Sequence, residues 1–350
     1  MNGLNIAQAN KSVYILLAIP WVSIREASYS PVRSQNNNIQ SPVPAALYKP
    51  APIKSSPLCT SDPPQLFCTE TEGALIETMD KDNCTSIHKA ALNGWLSTVE
   101  QLLANGASIE DMDGGKNTPL HLAAQSGHTR VVQLLLRNGA STEATNVSNY
   151  TPLHHAAKDG HTGIVELLLR KGASTEATDN DNSTPLHHAV RSSHTGIVRL
   201  LLENGAPIEA IDKDDNTPLH LATGNMFTST VELLLRNGDP IEAMDKYNNT
   251  PLHTAARCSH TGMVELLLRN GCPIELINTD NSTPLHLAVK NGHTSIVELF
   301  LDNGASVEVM DKNNDTPLHL AVKDNQIGII ELLLRKGASI EARDKDNNTH

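Results

Sequence analysis

One tetrapeptide recurs along this chain at a fixed interval. Thr-Pro-Leu-His begins at residue 118 and returns every 33 residues up to residue 316, and a weaker copy, Thr-Ser-Ile-His, begins at residue 85. A fixed period of this size is typical of stacked supersecondary units and not of one globular core. Eight periods, residues 80–343, follow one another without an insertion or a deletion.

Each period contains the signals for two helices. In residues 146–178, Thr caps a helix predicted over Pro152–Asp159, where proline suits the first position because its missing N–H costs nothing. Gly160 is predicted to end this helix, and a second, largely apolar helix runs to about Lys171. Asn149 is predicted to adopt the left-handed backbone of a tight turn. The His of the tetrapeptide is expected to bond to backbone in a neighbouring repeat.

These positions recur in phase and resemble the ankyrin repeat. The resemblance implies an all-α, ankyrin-type α-solenoid of stacked helix pairs with short β-hairpin-like turns, and a concave binding face. The predicted repeats are 80–112, 113–145, 146–178, 179–211, 212–244, 245–277, 278–310 and 311–343. Residues 344–350 read as the start of a ninth repeat.

The region before the repeats has a different composition. Residues 1–64 are rich in Ser, Asn and Pro, and we predict that they are disordered because they cannot bury enough apolar surface. Residues 65–79 read as the remnant of a degraded repeat. The net charge of −12 lies in the repeats, and an acidic array binds nucleic acid poorly, so nucleic acid is not expected as the main ligand.

Targeting signals are weak. Residues 13–22 are apolar, which is too short to span a bilayer but matches the core of a secretory signal. No clean cleavage site follows, so we predict an intracellular protein, in the cytoplasm or nucleus. Glycosylation sequons precede the Thr caps and are attributed to turn chemistry, which again favours the intracellular reading. The five cysteines have no zinc-ligand spacing and are predicted to be free thiols.

Catalytic and metal-binding patterns were sought among the sixteen histidines and the acidic residues. Thirteen of the histidines recur at repeat spacing, so each layer presents one ring at each position and no tetrahedral cluster. There is no Gly-rich phosphate loop and no elbow serine. We therefore predict no enzyme activity, no cofactor and no metal.

One set of positions suggests a partner site. Basic residues stand seven positions after the Thr cap in five repeats; this basic row is Lys158, Arg191, Arg257, Lys290 and Lys323. In the ankyrin family, ligands usually meet the hairpin tips and the concave face of the first helix. On that resemblance, the other candidate partner-binding residues are His155, His188, Tyr150, Tyr247, Asp181 and Asp214. A solvated stripe, offset by neighbouring acids, is the competing interpretation.

We predict a monomeric interaction scaffold or adaptor that binds an acidic or mixed-charge protein or peptide. Two alternatives remain: a transcription or signalling co-regulator that acts through the repeats, and a secreted effector or toxin-like protein of a host-associated organism. We also predict that the fifth repeat is the least stable, because Thr223 to Phe227 depart from the pattern of the other repeats.

Overall fold

The computed structural model describes residues 79–347 and 349, which form sixteen helices and no strand. The predicted disordered region and residues 65–78 of the predicted remnant lie outside the described residues. The helices are α1 (Ser86–Asn93), α2 (Leu96–Ala104), α3 (Pro119–Gln125), α4 (Thr129–Arg137), α5 (Pro152–Asp159), α6 (Thr162–Arg170), α7 (Pro185–Arg191), α8 (Thr195–Glu203), α9 (Pro218–Gly224), α10 (Thr228–Arg236), α11 (Pro251–Arg257), α12 (Thr261–Arg269), α13 (Pro284–Lys290), α14 (Thr294–Asp302), α15 (Pro317–Lys323) and α16 (Ile327–Arg335).

The ends of the helices follow the local sequence. Thr151 is extended (φ −89°, ψ 166°) and forms a capping box with His154, which takes the place of the usual Glu. The first helix of this repeat ends at Asp159, as predicted, and Gly160 follows in the left-handed conformation (φ 84°). The second helix ends at Arg170, one residue before the predicted end. Asn149 has the predicted positive φ, 57°.

The core is a stack of layers. Each first helix packs against its own second helix and against the first helices of the adjoining repeats. The second helices pack in the same order, with the least contact between α10 and α12. In the third repeat, Ala156 of α5 and Ile164 and Leu168 of α6 have no exposed surface. Alanine on the first helix lets the two helices approach closely, and each layer is covered by the next. The predicted all-α solenoid is confirmed.

The left-handed residue after the first helix is not always glycine. At Gly160 a Cβ atom would lie 2.7 Å from the ring of His194 in the next repeat, which explains why glycine is required there. Ser193, Met226, Ser259 and Asn325 occupy the same register and also have positive φ, between 53° and 63°. For a long side chain such as that of Met226 this conformation is strained.

The cysteines do not all follow the prediction. Cys258 and Cys272 are free, but Cys84 is disulfide-bonded, so the prediction of free thiols is wrong for this residue. The reason is that disulfide formation depends on which thiols the tertiary structure brings together, and spacing along the chain does not determine it. Cys59 and Cys68 lie outside the described residues.

Candidate functional site

A buried hydrogen-bond network joins the first helix of each of the first seven repeats to the hairpin turn of the next repeat. The Nδ1 atom of His154 accepts from the backbone amide and the hydroxyl of Thr151 at 3.1 and 2.9 Å, and Nε2 donates to the carbonyl of Ser183 at 3.2 Å. Burial lowers the pKa of His154 to about 4, so this ring is neutral at pH 7. The same bond to a carbonyl 29 residues ahead is made by His88, His121, His187, His220, His253 and His286.

The last turns of the first helices carry the basic row. The network behind them holds these turns in register from one repeat to the next. Lys158 and Arg191 are half-buried, whereas Arg257, Lys290 and Lys323 are exposed. The row therefore has an engaged part, Lys158 and Arg191, whose side chains are partly covered by the protein. Its open part is Arg257, Lys290 and Lys323, whose side chains are exposed to solvent.

The engaged part is tied to buried neighbours. Arg191 donates to the carboxylate of Asp212 at 3.1 Å, and the Asp212 side chain is only 4% exposed. The ammonium of Lys158 lies 5.5 Å from the centre of the Tyr150 ring, within the range of a cation–π contact. Arg191 thus compensates a buried charge, and its removal would leave that charge unpaired.

Tyr150, His155 and His188 form a compact buried cluster beneath this part of the row. The Tyr150 ring centre lies 5.2 Å from that of His155 and 4.9 Å from that of His188. All three residues are less than a tenth exposed. Burial, with a smaller contribution from the Asp179 charge, raises the pKa of the Tyr150 hydroxyl. The structure therefore places these three predicted contact residues behind the surface.

Polar partners within the protein satisfy the two histidines of this cluster. His188 Nε2 donates to the Asp179 carboxylate at 2.8 Å, and the Asn146 amide donates to His155 Nε2 at 3.3 Å. Burial lowers the pKa of both rings, which keeps them neutral. Burial alone would raise the pKa of Asp179, but the bonds from His188 and the backbone outweigh it, so that pKa is lowered.

The hairpin tips form a second row beside the first helices. Asp181 is bound by Lys213 at 2.8 Å and Asp214 by Lys246 at 2.6 Å, each lysine lying in the following repeat. The pattern recurs between Asp280 and Lys312 at 2.6 Å. These lysines were not predicted as site residues, although their fixed offset of 32 residues from the tip acids could have identified them.

Tyr247 is the exposed aromatic residue of these tips, with 54% of its surface accessible. The Lys246 ammonium lies 5.0 Å from the centre of its ring. Of the two tyrosines predicted at the site, Tyr247 is thus the one whose ring reaches solvent.

A groove lies between the hairpin turns and the first helices of the seventh and eighth repeats. Lys290 and Lys323 line it, together with Leu287 and Leu320. Burial raises the pKa of Asp315 in the same groove, and the charge of Asp311 adds to this effect. The groove also contains Lys312 and the carboxylates of Asp280 and Asp324, so it offers charges of both signs beside partly buried leucines.

Two kinds of site are absent from the described part of the chain. No group of three or more His, Cys, Asp or Glu side chains there is placed to hold a metal ion. None of its helices combines the length and the apolar composition needed to cross a membrane.

Comparison with known proteins gives one result for the repeats. A family model described as ankyrin repeats (3 copies) matches the chain over residues 65–146, 142–212, 207–278 and 262–344. No curated protein matches the chain. The family match covers the described repeats from end to end.

Proposed function

Because the chain belongs to the ankyrin repeat family, whose repeats form a protein-interaction module, we propose that it is a scaffold for an acidic or mixed-charge protein partner. The partner binds the hairpin tips and the open part of the basic row. One observation carries the proposal: Arg257, Lys290 and Lys323 are exposed and form no ion pair within residues 79–347, although the chain has a net charge of −12. Unpaired cations on one face of an acidic protein favour an anionic partner.

The remaining candidate residues take different roles in this proposal. Tyr247, Asp181 and Asp214 at the tips contact the partner, and the tip acids exchange their lysines for partner groups. Lys158 and Arg191 fix the edge of the site, because each is held by a neighbour of its own. Direct contact by Tyr150, His155 and His188 stays a prediction, and their burial favours a positioning role.

The proposal extends to the setting in which the scaffold acts. We place it inside the cell, as a monomer without catalytic activity, and with no nucleic acid as its main ligand. The co-regulator and the secreted effector stay predictions. The disulfide at Cys84 counts towards the secreted alternative, because such bonds persist in oxidising compartments.

The test uses charge reversal with a matched control. The full chain, its R257E/K290E/K323E variant and an R170E/R236E/R269E variant are each used to capture proteins from cell extract, and the captured proteins are quantified. The control arginines are exposed and pair with a Glu four residues earlier on second helices, so the charge change is equal.

We expect the basic-row variant to lose partners about tenfold or more, and the control to retain them. The association rate should also fall, because surface charge steers encounter. Equal retention by both variants would remove the basic row from the binding site. Equal loss would show that only the total charge matters.

A further inference from the structure

A row of exposed apolar residues lies at the ends of the segments that lead into the hairpin turns. Ile211, Met244, Ile277 and Met310 hold the same register in four consecutive repeats, and their exposed fractions are 48, 41, 45 and 43%. Single exposed apolar residues are ordinary on a protein surface and need no explanation. Four on adjoining repeats form a continuous feature.

A glutamate lies two residues before the register of this row in each repeat. These glutamates fall into two groups, according to whether the carboxylate accepts a hydrogen bond from the next repeat. In the first group, a Glu accepts a hydrogen bond from the backbone amide of a Ser 31 residues ahead, in the next repeat. These pairs are Glu110 with Ser141, Glu143 with Ser174, Glu275 with Ser306 and Glu308 with Ser339, at 2.7 to 3.0 Å. The bond ties each of these carboxylates to the protein.

In the second group, the residue 31 positions ahead of the Glu is proline, which has no amide hydrogen to donate. The pairs are Glu176 with Pro207, Glu209 with Pro240 and Glu242 with Pro273. These three glutamates are exposed, and their carboxylates form no hydrogen bond or ion pair within residues 79–347. Proline thus leaves three consecutive carboxylates free for an outside partner.

The free carboxylates and the apolar row overlap in the fourth and fifth repeats, and each extends beyond them on one side. Glu209 is two residues before Ile211, and Glu242 is two residues before Met244. The segments 205–211, 238–244 and 271–277 contain no Lys or Arg. The nearest tip lysines, Lys213 and Lys246, are bound to Asp181 and Asp214. This part of the surface therefore offers apolar contact and negative charge without a cation of its own.

We propose that Glu176, Glu209, Glu242, Ile211, Met244 and Ile277, here called the central edge, form a second docking surface. Its occupant is a partner segment that carries both basic and apolar side chains. Charge complementarity supports this choice, because the partner's cations would meet carboxylates that no internal donor holds. The basic row binds an acidic partner segment, whereas the central edge binds a basic one, so the two surfaces bind different partner segments.

The prolines have a competing explanation. A proline in a loop stabilises the folded state by restricting the unfolded chain, with no ligand involved. Stiffening of the loops accounts for the prolines but does not account for the exposed apolar row. A binding experiment with a proline variant separates the two explanations.

The probe is a panel of fluorescein-labelled, 15-residue peptides in which Lys and Val recur together every two, three or four residues, with Ser elsewhere. Binding to the full chain is measured by fluorescence anisotropy at two salt concentrations. Variants E176Q/E209Q/E242Q and I211S/M244S/I277S test the two components of the central edge. E110Q/E143Q/E308Q is the matched control, since it removes three glutamates that are bound to a backbone amide. Thermal unfolding checks that every variant folds.

We expect one peptide to bind, and both central-edge variants to weaken its binding about tenfold, with less than twofold change for the control. P207S/P240S/P273S restores the backbone donor and should weaken binding about threefold. No binding by any peptide, an equal loss in the control, or unchanged affinity in the proline variant would each overturn the proposal. None of these outcomes bears on the basic row, which the variants leave intact.

Discussion

The junction of the third and fourth repeats and the interior of the fifth repeat both bury polar side chains at positions where other repeats hold apolar ones. At the junction, His155 and His188 take the place of leucine, and each ring has a polar partner. In the fifth repeat, Asp239 replaces alanine and Thr223 replaces alanine or valine. Neither carboxylate oxygen of Asp239 has a hydrogen-bond partner, and nor does the hydroxyl of Thr223.

Placing a polar side chain where other repeats have an apolar one therefore has opposite consequences for stability in these two regions. A buried polar group that is fully satisfied costs little and fixes the arrangement around it, whereas an unsatisfied one costs the full desolvation of that group. The fifth repeat has a further weakness: Phe227 stands where most repeats have the His that bonds back to a carbonyl of the preceding repeat. The low stability of the fifth repeat stays a prediction. Substitutions of single residues can test whether satisfied and unsatisfied polar groups differ in their effect on stability.

Breaking the satisfied junction should have the largest effect. Asp179→Ala removes the partner of the His188 ring and the acceptor for the backbone amides of Asp181 and Ser183. We expect a loss of about 4 kcal/mol in the free energy of unfolding, measured by urea denaturation. Asp179→Asn is the control, because Asn146 and Asn278 fill this position in other repeats and make the same turn bonds. Because Asn146 also bonds to the His155 ring, a similar loss for both variants would show that the negative charge of Asp179 dominates, and not its turn bonds.

Repairing Asp239 should give the next largest effect, with the opposite sign. Burial raises the pKa of this carboxyl to about 8, and the Glu209 charge adds to this effect. The Leu219 backbone and the Thr217 side chain lie near enough to oppose it, but neither forms a hydrogen bond of good geometry with the carboxylate. The unfolded carboxyl titrates near 4, so the contribution of Asp239 to stability falls as the pH rises from about 4 to about 8 and is then constant. Asp239→Ala should therefore stabilise the chain by about 3 kcal/mol at pH 7.

The measurement is the difference in unfolding free energy between Asp239→Ala and the wild type at pH 5, 7 and 9. The buried histidines lose stability as the pH falls below about 6.5, but they are common to both proteins and cancel in this difference. Amide hydrogen exchange should show the gain concentrated in the fifth repeat. A difference that does not grow between pH 5 and pH 9 would mean that Asp239 is not held protonated.

The smallest effect is expected at two threonines of the fifth repeat. Thr223→Val removes an unsatisfied buried hydroxyl, and valine occupies this register at Val190 and Val289, so we expect a gain of about 1 kcal/mol. Thr230→Val removes a hydroxyl that is bonded to that of Thr195 at 2.9 Å, so we expect a loss of about 1 kcal/mol. Both changes in the free energy of unfolding are measured by urea denaturation. Effects of the same sign would show that hydrogen-bond satisfaction does not distinguish these sites.

Local chemistry made much of the fold predictable. The Thr cap, the proline at the first helical position and the glycine at the helix end act within one turn, so the predicted start and end of α5 were both correct. The candidate site was less predictable. The sequence places Lys158 and Lys290 in the same register, but one ammonium lies over the Tyr150 ring and the other lines a groove. The Tyr150 ring belongs to the same repeat as Lys158, whereas the groove at Lys290 is completed by Leu320 and Lys323 of the next repeat.

The period, the helix pairs and the family could be predicted from the sequence, because they depend on short-range signals that recur in phase. Which polar groups find partners depends instead on how the repeats pack. The serine-to-proline changes look alike along the chain, but their effect on Glu176, Glu209 and Glu242 appears only when adjoining repeats are stacked. A hydrogen bond needs a donor and an acceptor within about 3 Å of each other, and in a stacked array it is the packing of adjoining repeats that brings them together.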